Sequence, residues 1–168
     1  MGKIRQGVDK ARFIDTAPGT ASATWSLMGT GVKTAGDTPA AQTKSRKYIN
    51  NKSASKSITA YDWTAPIDMD QVVDEAAVDF VYNIGHRELT GADAETDYLE
   101  VDLDKPVSGA EGTYEARKRR VAVEVADMPE EDGELGITGN LLGIGDPVFG
   151  KFNVATKTFT AEDEVTQS

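Results

Sequence analysis

Residues 72–84 read Val-Val-Asp-Glu-Ala-Ala-Val-Asp-Phe-Val-Tyr-Asn-Ile and carry the strongest helix signal in the chain. Apolar side chains recur at positions 72, 73, 76, 77, 80, 81 and 84, which is a continuous stripe at the helical period. Asp68 and Gln71 have the spacing of a capping box, and Gly85 is placed to end the helix in a left-handed cap. We therefore predict one amphipathic helix over about residues 70–85, packed by one face on a sheet.

Strand patterns flank this helix on both sides. Before it, residues 25–29 and 57–64 combine aromatic and β-branched side chains. After it, Leu99, Val101 and Leu103 alternate with polar residues, as in a half-buried strand with an acidic outer face. Further strands are predicted over 114–126, 134–142, 148–152 and 157–160. Strands, one helix and more strands predict an α+β fold dominated by antiparallel sheet.

The charges of the chain are segregated. The net charge of the 168 residues is -10. Residues 1–60 hold ten basic and three acidic groups, or +7, which leaves eight basic and 25 acidic groups, or -17, for residues 61–168. Such asymmetry fits either a nucleic-acid arm or an arm that meets the acidic body of another copy. We expect one domain, 1–168, with an N-terminal arm at 1–20 and a C-terminal tail at 161–168.

Residues 33–57 are predicted to be a long loop that orders against a partner. Alanine, threonine, serine and lysine dominate this stretch, and Tyr48-Ile49 is its one large apolar pair. Loops longer than about 12–15 residues are uncommon in compact domains unless they are functional or disordered. The candidate contact residues between subunits are Lys33, Lys44, Arg46, Lys47, Tyr48, Ile49, Lys52 and Lys56.

Motifs for catalysis, metals and cofactors are weak. Residues 145–151 have the glycine and lysine spacing of a P-loop, but Phe152 stands where a Ser or Thr should hold Mg²⁺. The chain has no cysteine and only one histidine, His86, which excludes disulfides, thiolate zinc sites and two-histidine metal sites. The basic residues 117–120 lead into a strand, so their side chains should divide two to each face. We expect no enzyme activity and no cofactor.

Several ordered motifs resemble the major tail (tail tube) proteins of long-tailed bacteriophages, especially those with non-contractile tails. The resemblance covers about residues 20–162, and its most specific part is the C-terminal hairpin, in which Gly-Asp-Pro at 145–147 returns through residues 153–156 to Phe159-Thr160. The other motifs are Trp25-Ser-Leu-Met-Gly29, Lys47-Tyr48-Ile49-Asn50, Ile58-Thr59-Ala60-Tyr61 and the strand over 97–103.

This resemblance implies a β-sandwich or barrel-like fold flanked by one helix. It implies hexameric rings that stack into a hollow tube through which DNA passes, with tape measure, tail terminator and distal tail proteins as partners. The expected location is the virion, after assembly in the host cytoplasm. A DNA conduit should be acidic inside, because a basic wall would bind phosphates. Glu100, Asp102 and Asp104 are the lumen candidates.

Other function classes remain open from the sequence. One is another virion component, such as a capsid decoration or carbohydrate-binding protein, in which Tyr61, Trp63 and Tyr98 would stack on sugars. Another is a nucleic-acid-binding module with a basic N-terminal arm. The charge of -17 on residues 61–168 argues against the second, and no aromatic residues interleave with the basic ones to stack on bases.

Overall fold

The structure, a computed structural model, describes residues 2–162. These residues form eleven strands, one α-helix and two single turns of 3-10 helix. The strands are β1 (Lys10–Asp15), β2 (Trp25–Leu27), β3 (Val32–Ala35), β4 (Ala41–Arg46), β5 (Ser55–Tyr61), β6 (Thr64–Asp70), β7 (Glu95–Pro106), β8 (Thr113–Asp127), β9 (Glu130–Glu131), β10 (Glu134–Asn153) and β11 (Thr158–Ala161). Helix α1 (Ala76–His86) follows β6, and the 3-10 turns span Gly7–Asp9 and Gly91–Ala94.

Nine strands form one antiparallel sheet that curls into a half-barrel. The order along the sheet is β2-β1-β7-β8-β10-β6-β3, and β9 and β11 pair with β10. β4 and β5 form a separate two-stranded sheet. The predicted α+β fold, mainly antiparallel β with one helix, is confirmed.

Apolar clusters cover both faces of the large sheet. On the face that carries α1, here called the helix face, the core includes Trp63, Tyr98 and Leu141. On the opposite face a smaller cluster includes Phe13 and Phe152. The ring centroids of Phe13 and Phe152 lie 4.9 Å apart, although β7 and β8 separate their strands in the sheet. Side-chain contacts between strands that are not adjacent in the sheet therefore fix its curl.

Because both faces are covered, β7 is more buried than its sequence predicts. Tyr98, Leu99, Glu100 and Val101 are all buried, so the middle of this strand has no acidic outer face. Tyr98 belongs to the cluster on the helix face, and Leu99 and Val101 belong to the cluster on the opposite face. The prediction of a half-buried strand is wrong there, since alternation alone does not show whether the second face is covered.

The helix begins later than predicted. β6 continues to Asp70, and the amide of Gln71 donates to the carbonyl of Leu135. The predicted capping box is therefore absent, because Asp68 and Asp70 belong to the sheet. The buried face of α1 is Ala77, Val78, Val81 and Ile84.

Gly85 has a different role from the predicted cap. It lies inside α1, which ends at His86. The helix packs so closely on β8 at this point that a Cβ on Gly85 would collide with Val125 and Met128. Glycine is needed here for the close approach of helix and sheet, not for a left-handed turn.

The N-terminal arm and the long loop are both more ordered than predicted. β1 lies between β2 and β7 and buries Phe13 and Ile14, so only the residues before Lys10 extend as an arm. The segment 33–57 contains β3 and most of a hairpin formed by β4 and β5. The predicted long loop is thus a projecting hairpin.

Residues 145–147 form a bulge inside β10. The pairing of β10 with β8 shifts register between Ile144 and Val148, and Gly145 adopts a φ of 70°. The two strands predicted on either side of this point are one long strand, and the segment is not followed by a helix as a P-loop would be.

Leu141→Ala is expected to lower the free energy of unfolding by about 2–5 kcal/mol, because truncation of a buried leucine leaves a cavity. Leu141 is fully buried in β10, whereas Leu135 in the same strand is 50% exposed. Urea unfolding followed by circular dichroism measures both Leu141→Ala and the matched control Leu135→Ala. An equal loss in the two variants would contradict this packing.

Candidate assembly surface

The hairpin of β4 and β5, residues 41–61, projects from the body and is here called the ribbon. Every residue of the ribbon is exposed, on both faces of its two strands. Its internal order comes from pairing between β4 and β5 and from a turn in which the amide of Asn51 donates to the carbonyl of Tyr48. An isolated two-stranded hairpin is marginally stable in water. Contact with a partner would therefore stabilise the ribbon.

The ribbon is entirely basic in its charge. Five of its residues are basic and none is acidic: Lys44, Arg46, Lys47, Lys52 and Lys56. Within residues 2–162 none of these five side chains takes part in a salt bridge. Their charge is therefore available to an acidic partner.

Two apolar side chains lie in the loop that joins the ribbon strands. Tyr48 is 57% exposed and Ile49 is fully exposed. The structure thus places both predicted anchors in the same exposed loop as Lys47 and Lys52. Lys33, predicted to act with them, lies instead in β3 and forms a 2.8 Å ion pair with Asp70.

Two basic residues of the N-terminal arm, Arg5 and Lys3, are paired with carboxylates within the chain. Arg5 contacts Asp102 and Asp104 at 2.7 and 2.8 Å. Lys3 pairs with Asp9 at 3.2 Å. Arg5 therefore ties the arm to the body, whereas the basic side chains of the ribbon make no salt bridge within residues 2–162.

Lys10 and Arg117 hold Glu100 in a buried ionic cluster. Glu100 is only 4% exposed, and its carboxylate lies 3.0 Å from Lys10 Nζ and 2.9 Å from Arg117 Nη2. Asp37, from the segment that joins β3 to the ribbon, contacts the same two cations at 3.6 and 3.4 Å. The cluster therefore ties the stem of the ribbon to the sheet.

This cluster changes the interpretation of the predicted lumen residues. The expectation that Glu100 presents an acidic face is wrong for this chain, because Glu100 is buried and paired with Lys10 and Arg117. The side chains of Asp102 and Asp104 are each about one-quarter exposed and bind Arg5. For those two residues the lumen position stays a prediction.

The two carboxyl groups of the cluster differ in acidity. Burial, with the hydrogen bond to Asp37 and its negative charge, raises the pKa of Glu100 above its ordinary value. Burial opposes ionisation of Asp37 as well, but the hydrogen bond from Glu100 and the charges of Arg117 and Lys10 outweigh it and lower the pKa of Asp37. Of the two carboxyl groups, Asp37 is therefore the stronger acid, and Glu100 is the first to take up a proton as the pH falls.

A groove opens beside the cluster, between the stem of the ribbon and the bulge of β10. It encloses about 690 Å³ and is lined by Tyr61, Trp63, Arg117, Arg119 and Phe149, among others. The Arg119 guanidinium lies 4.7 Å from the centre of the Trp63 ring, and its Nη1 donates to the carbonyl of Gly145 at 3.3 Å. Within residues 2–162, Arg119 Nε and Trp63 Nε1 are buried without a hydrogen-bond partner.

The sequence predicted which arginines share a face of β8, but it did not predict that Trp63 lies beside them. As predicted, the basic residues 117–120 divide between two faces: Arg117 and Arg119 lie against Trp63, whereas Lys118 lies over Phe159 and Arg120 near Asp97. Nothing in the local sequence places Trp63 beside β8, because that contact depends on the curl of the sheet.

His86, the one histidine of the sequence, is the last residue of α1. His86 stacks on Tyr82, with 5.1 Å between ring centroids. Residues 2–162 contain no cluster of three side chains suited to hold a metal ion.

Comparison of the sequence with protein-family models gave no match, and a search of the curated proteins gave none either. Among the described residues, no helix is long and apolar enough to cross a membrane.

Glu100→Gln is expected to gain stability relative to the native chain as the pH rises from about 4.5 to 7. The pKa of Glu100 is higher in the folded state than in the unfolded state. Protonation of Glu100 therefore stabilises the fold, and this contribution is complete at pH values below the unfolded pKa of about 4.5. The native chain loses that contribution as the pH rises through the folded-state pKa of Glu100, whereas the glutamine side chain keeps its hydrogen-bond donor over the whole pH range. Urea midpoints measured over this pH range check the trend.

Glu115→Gln serves as the control, since Glu115 is on the neighbouring strand with a side chain 60% exposed. A pH trend of the same size in both variants would show that general charge, not the buried cluster, is responsible.

Proposed function

We propose that this chain is a structural subunit that self-assembles into a hollow tube, and that the tube is a bacteriophage tail tube. The resemblance of residues 20–162 to major tail proteins supplies the specific identity, including the hexameric ring, the virion location and the passage of DNA. In this proposal the protein acts by assembly and not by catalysis.

The ribbon is the observation that carries the proposal. It is exposed on both faces, it holds five basic groups that are unpaired within residues 2–162, and it ends in an exposed Tyr48-Ile49 pair. Because none of its residues is buried, this hairpin contributes nothing to the hydrophobic core of its own chain. It suits insertion against a second copy, whose body carries the acidic excess of the sequence.

Repetition makes such contacts strong enough to build a tube. One exposed ion pair contributes only about 0–1 kcal/mol. Each copy in a ring would offer the same ribbon and the same acidic surface to the next ring, so all contacts of the ring form together and the joint becomes firm. Heterologous contacts that repeat without closing along one axis generate a filament.

Reversal of Lys44, Arg46 and Lys47 to glutamate together is expected to block tube growth and to leave the monomer folded. All three are exposed and make no salt bridge within residues 2–162, so the change removes attraction to an acidic partner without touching the core. Light scattering and negative-stain images report growth, and circular dichroism reports folding.

A triple reversal of Lys105, Lys151 and Lys157 is the matched control, because it changes the net charge equally at exposed sites outside the ribbon. Growth should persist in that control. Normal polymerisation of the ribbon variant, or equal loss in both, would exclude the ribbon as the charged joint. If the native chain instead stays monomeric and binds short DNA with a strong salt dependence, the nucleic-acid alternative is favoured.

Ile49→Ser is expected to raise the protein concentration needed for assembly roughly tenfold to a hundredfold, since a buried isoleucine contributes about 1.5–3 kcal/mol. The melting temperature of the monomer should not change, because Ile49 is fully exposed in the single chain. Sedimentation of tubes over a concentration series measures the effect. Ile4→Ser, a change at another exposed isoleucine, is the control outside the ribbon.

A further inference from the structure

Arg119 lies in the groove without a carboxylate partner among residues 2–162, whereas Arg117 beside it contacts two carboxylates. Arg119 Nε and Trp63 Nε1 are also buried there without a hydrogen-bond partner. Burial lowers the pKa of Arg119 from its ordinary value, because a guanidinium that is partly removed from water is less stable in its charged form. A carboxylate that entered the groove would supply the missing counter-charge.

The walls of the groove also present apolar side chains to solvent. Tyr61 and Phe149 are each more than half exposed, and both line the groove together with two prolines. The groove volume of about 690 Å³ lies within the range of about 300–1,000 Å³ that is typical of ligand pockets. The chemistry of the groove therefore matches a carboxylate that has an apolar side chain next to it.

The hairpin that joins β9 to β10 carries such a pair. Residues 130–135 read Glu-Glu-Asp-Gly-Glu-Leu, all six are exposed, and they are here called the acidic tip. Its four carboxylates take no part in a salt bridge within residues 2–162. Asp132 and Gly133 adopt φ values of 52° and 82°, as in a tight two-residue hairpin turn. The acidic tip is therefore a preformed negative surface.

The pairing of β9 with β10 divides the acidic tip into two faces. Glu130 is opposite Leu135, and Glu131 is opposite Glu134. Facing residues of antiparallel strands project on the same side, and side chains alternate along each strand. Glu130 and Leu135 therefore share one face, while Glu131 and Glu134 line a small pocket beside Lys33 on the other. The face of Glu130 and Leu135 is the one that matches the groove.

The acidic tip and the groove lie at different places along the same strand. Glu134 begins β10, and Gly145, which lines the groove, is up to about 36 Å further along at roughly 3.3 Å per residue. Pairing of β10 with β6 and β8 holds the two regions apart. An acidic tip that fills a groove must therefore come from a second copy of the chain.

We propose that the acidic tip of one copy enters the groove of a second copy, with the Glu130 carboxylate paired to Arg119 and Leu135 packed on Phe149. The inference rests on the proposed self-assembly, since it requires a second copy, but it does not depend on the bacteriophage identity. A contact that joins two different surfaces of the same chain is heterologous, and its repetition builds a ring or a filament.

Cross-linking between two chains tests this contact, because the sequence has no cysteine of its own. Ala60→Cys places a thiol on the wall of the groove. Glu131→Cys in a separate chain places the other on the acidic tip and leaves Glu130 and Leu135 unchanged. A short bis-maleimide should join the two chains, and mass spectrometry identifies the mixed product. In the control pair Ser108→Cys, at an exposed position outside the acidic tip, replaces Glu131→Cys and should give only background.

Glu130→Lys in the tip chain is expected to reduce the mixed product about fivefold or more, because an attraction to Arg119 becomes a repulsion. Glu134→Lys is the matched control, with the same charge change on the opposite face of the tip, and it should change the yield much less. Arg119→Glu in the groove chain, combined with Glu130→Lys in the tip chain, should restore the product. Circular dichroism checks that Arg119→Glu folds.

Electron micrographs of the same samples separate this inference from the proposed function. Tubes without the mixed product would overturn the contact and leave the proposed function in place, and the absence of both would overturn both. The mixed product without tubes would support the contact and count against the tube. Equal losses from Glu130→Lys and Glu134→Lys would also overturn the contact, and that comparison does not depend on the folding of Arg119→Glu.

Discussion

The contact between Trp63 and Tyr98 determines how the rest of the molecule is arranged. Their ring centroids are 5.8 Å apart, although Trp63 directly precedes β6 and Tyr98 is in β7, and β10 and β8 lie between those two strands in the sheet. To bring them together the sheet must curl, and the same curl covers both faces of β7. The ribbon leaves the body directly before Trp63, so the contact that closes the core also fixes where the projecting hairpin starts.

The same contact explains why charged groups are buried on the helix face. Arg117 and Arg119 alternate along β8 with residues of the opposite face, and the curl brings them under Trp63. Glu100 on the neighbouring strand is the buried group, and the partly exposed Arg117 guanidinium, 2.9 Å away, supplies the charge that its carboxylate requires. A buried charge is retained in a protein when such a partner is present, because the unpaired group would be far less stable.

The local pattern of apolar and polar side chains predicted some elements of this fold and failed to predict others. The single helix, the antiparallel strands after it and the division of residues 117–120 between two faces all follow from side-chain period. The start of the helix could not be predicted, because Asp68 and Asp70 suit a cap as well as a strand, and pairing with β10 decides between them. The burial of Glu100 and the groove at Trp63 depend on residues far apart in sequence, which periodicity does not detect.

The separation between ribbon and body has a consequence for how this protein can change over evolutionary time. Substitutions in the body meet a tightly packed core in which most replacements reduce stability. The side chains of the ribbon are exposed to solvent in the single chain, so its charged and apolar residues can vary with little effect on folding. New binding specificity can therefore arise in the ribbon by single steps, while the sheet that carries it remains conserved in shape.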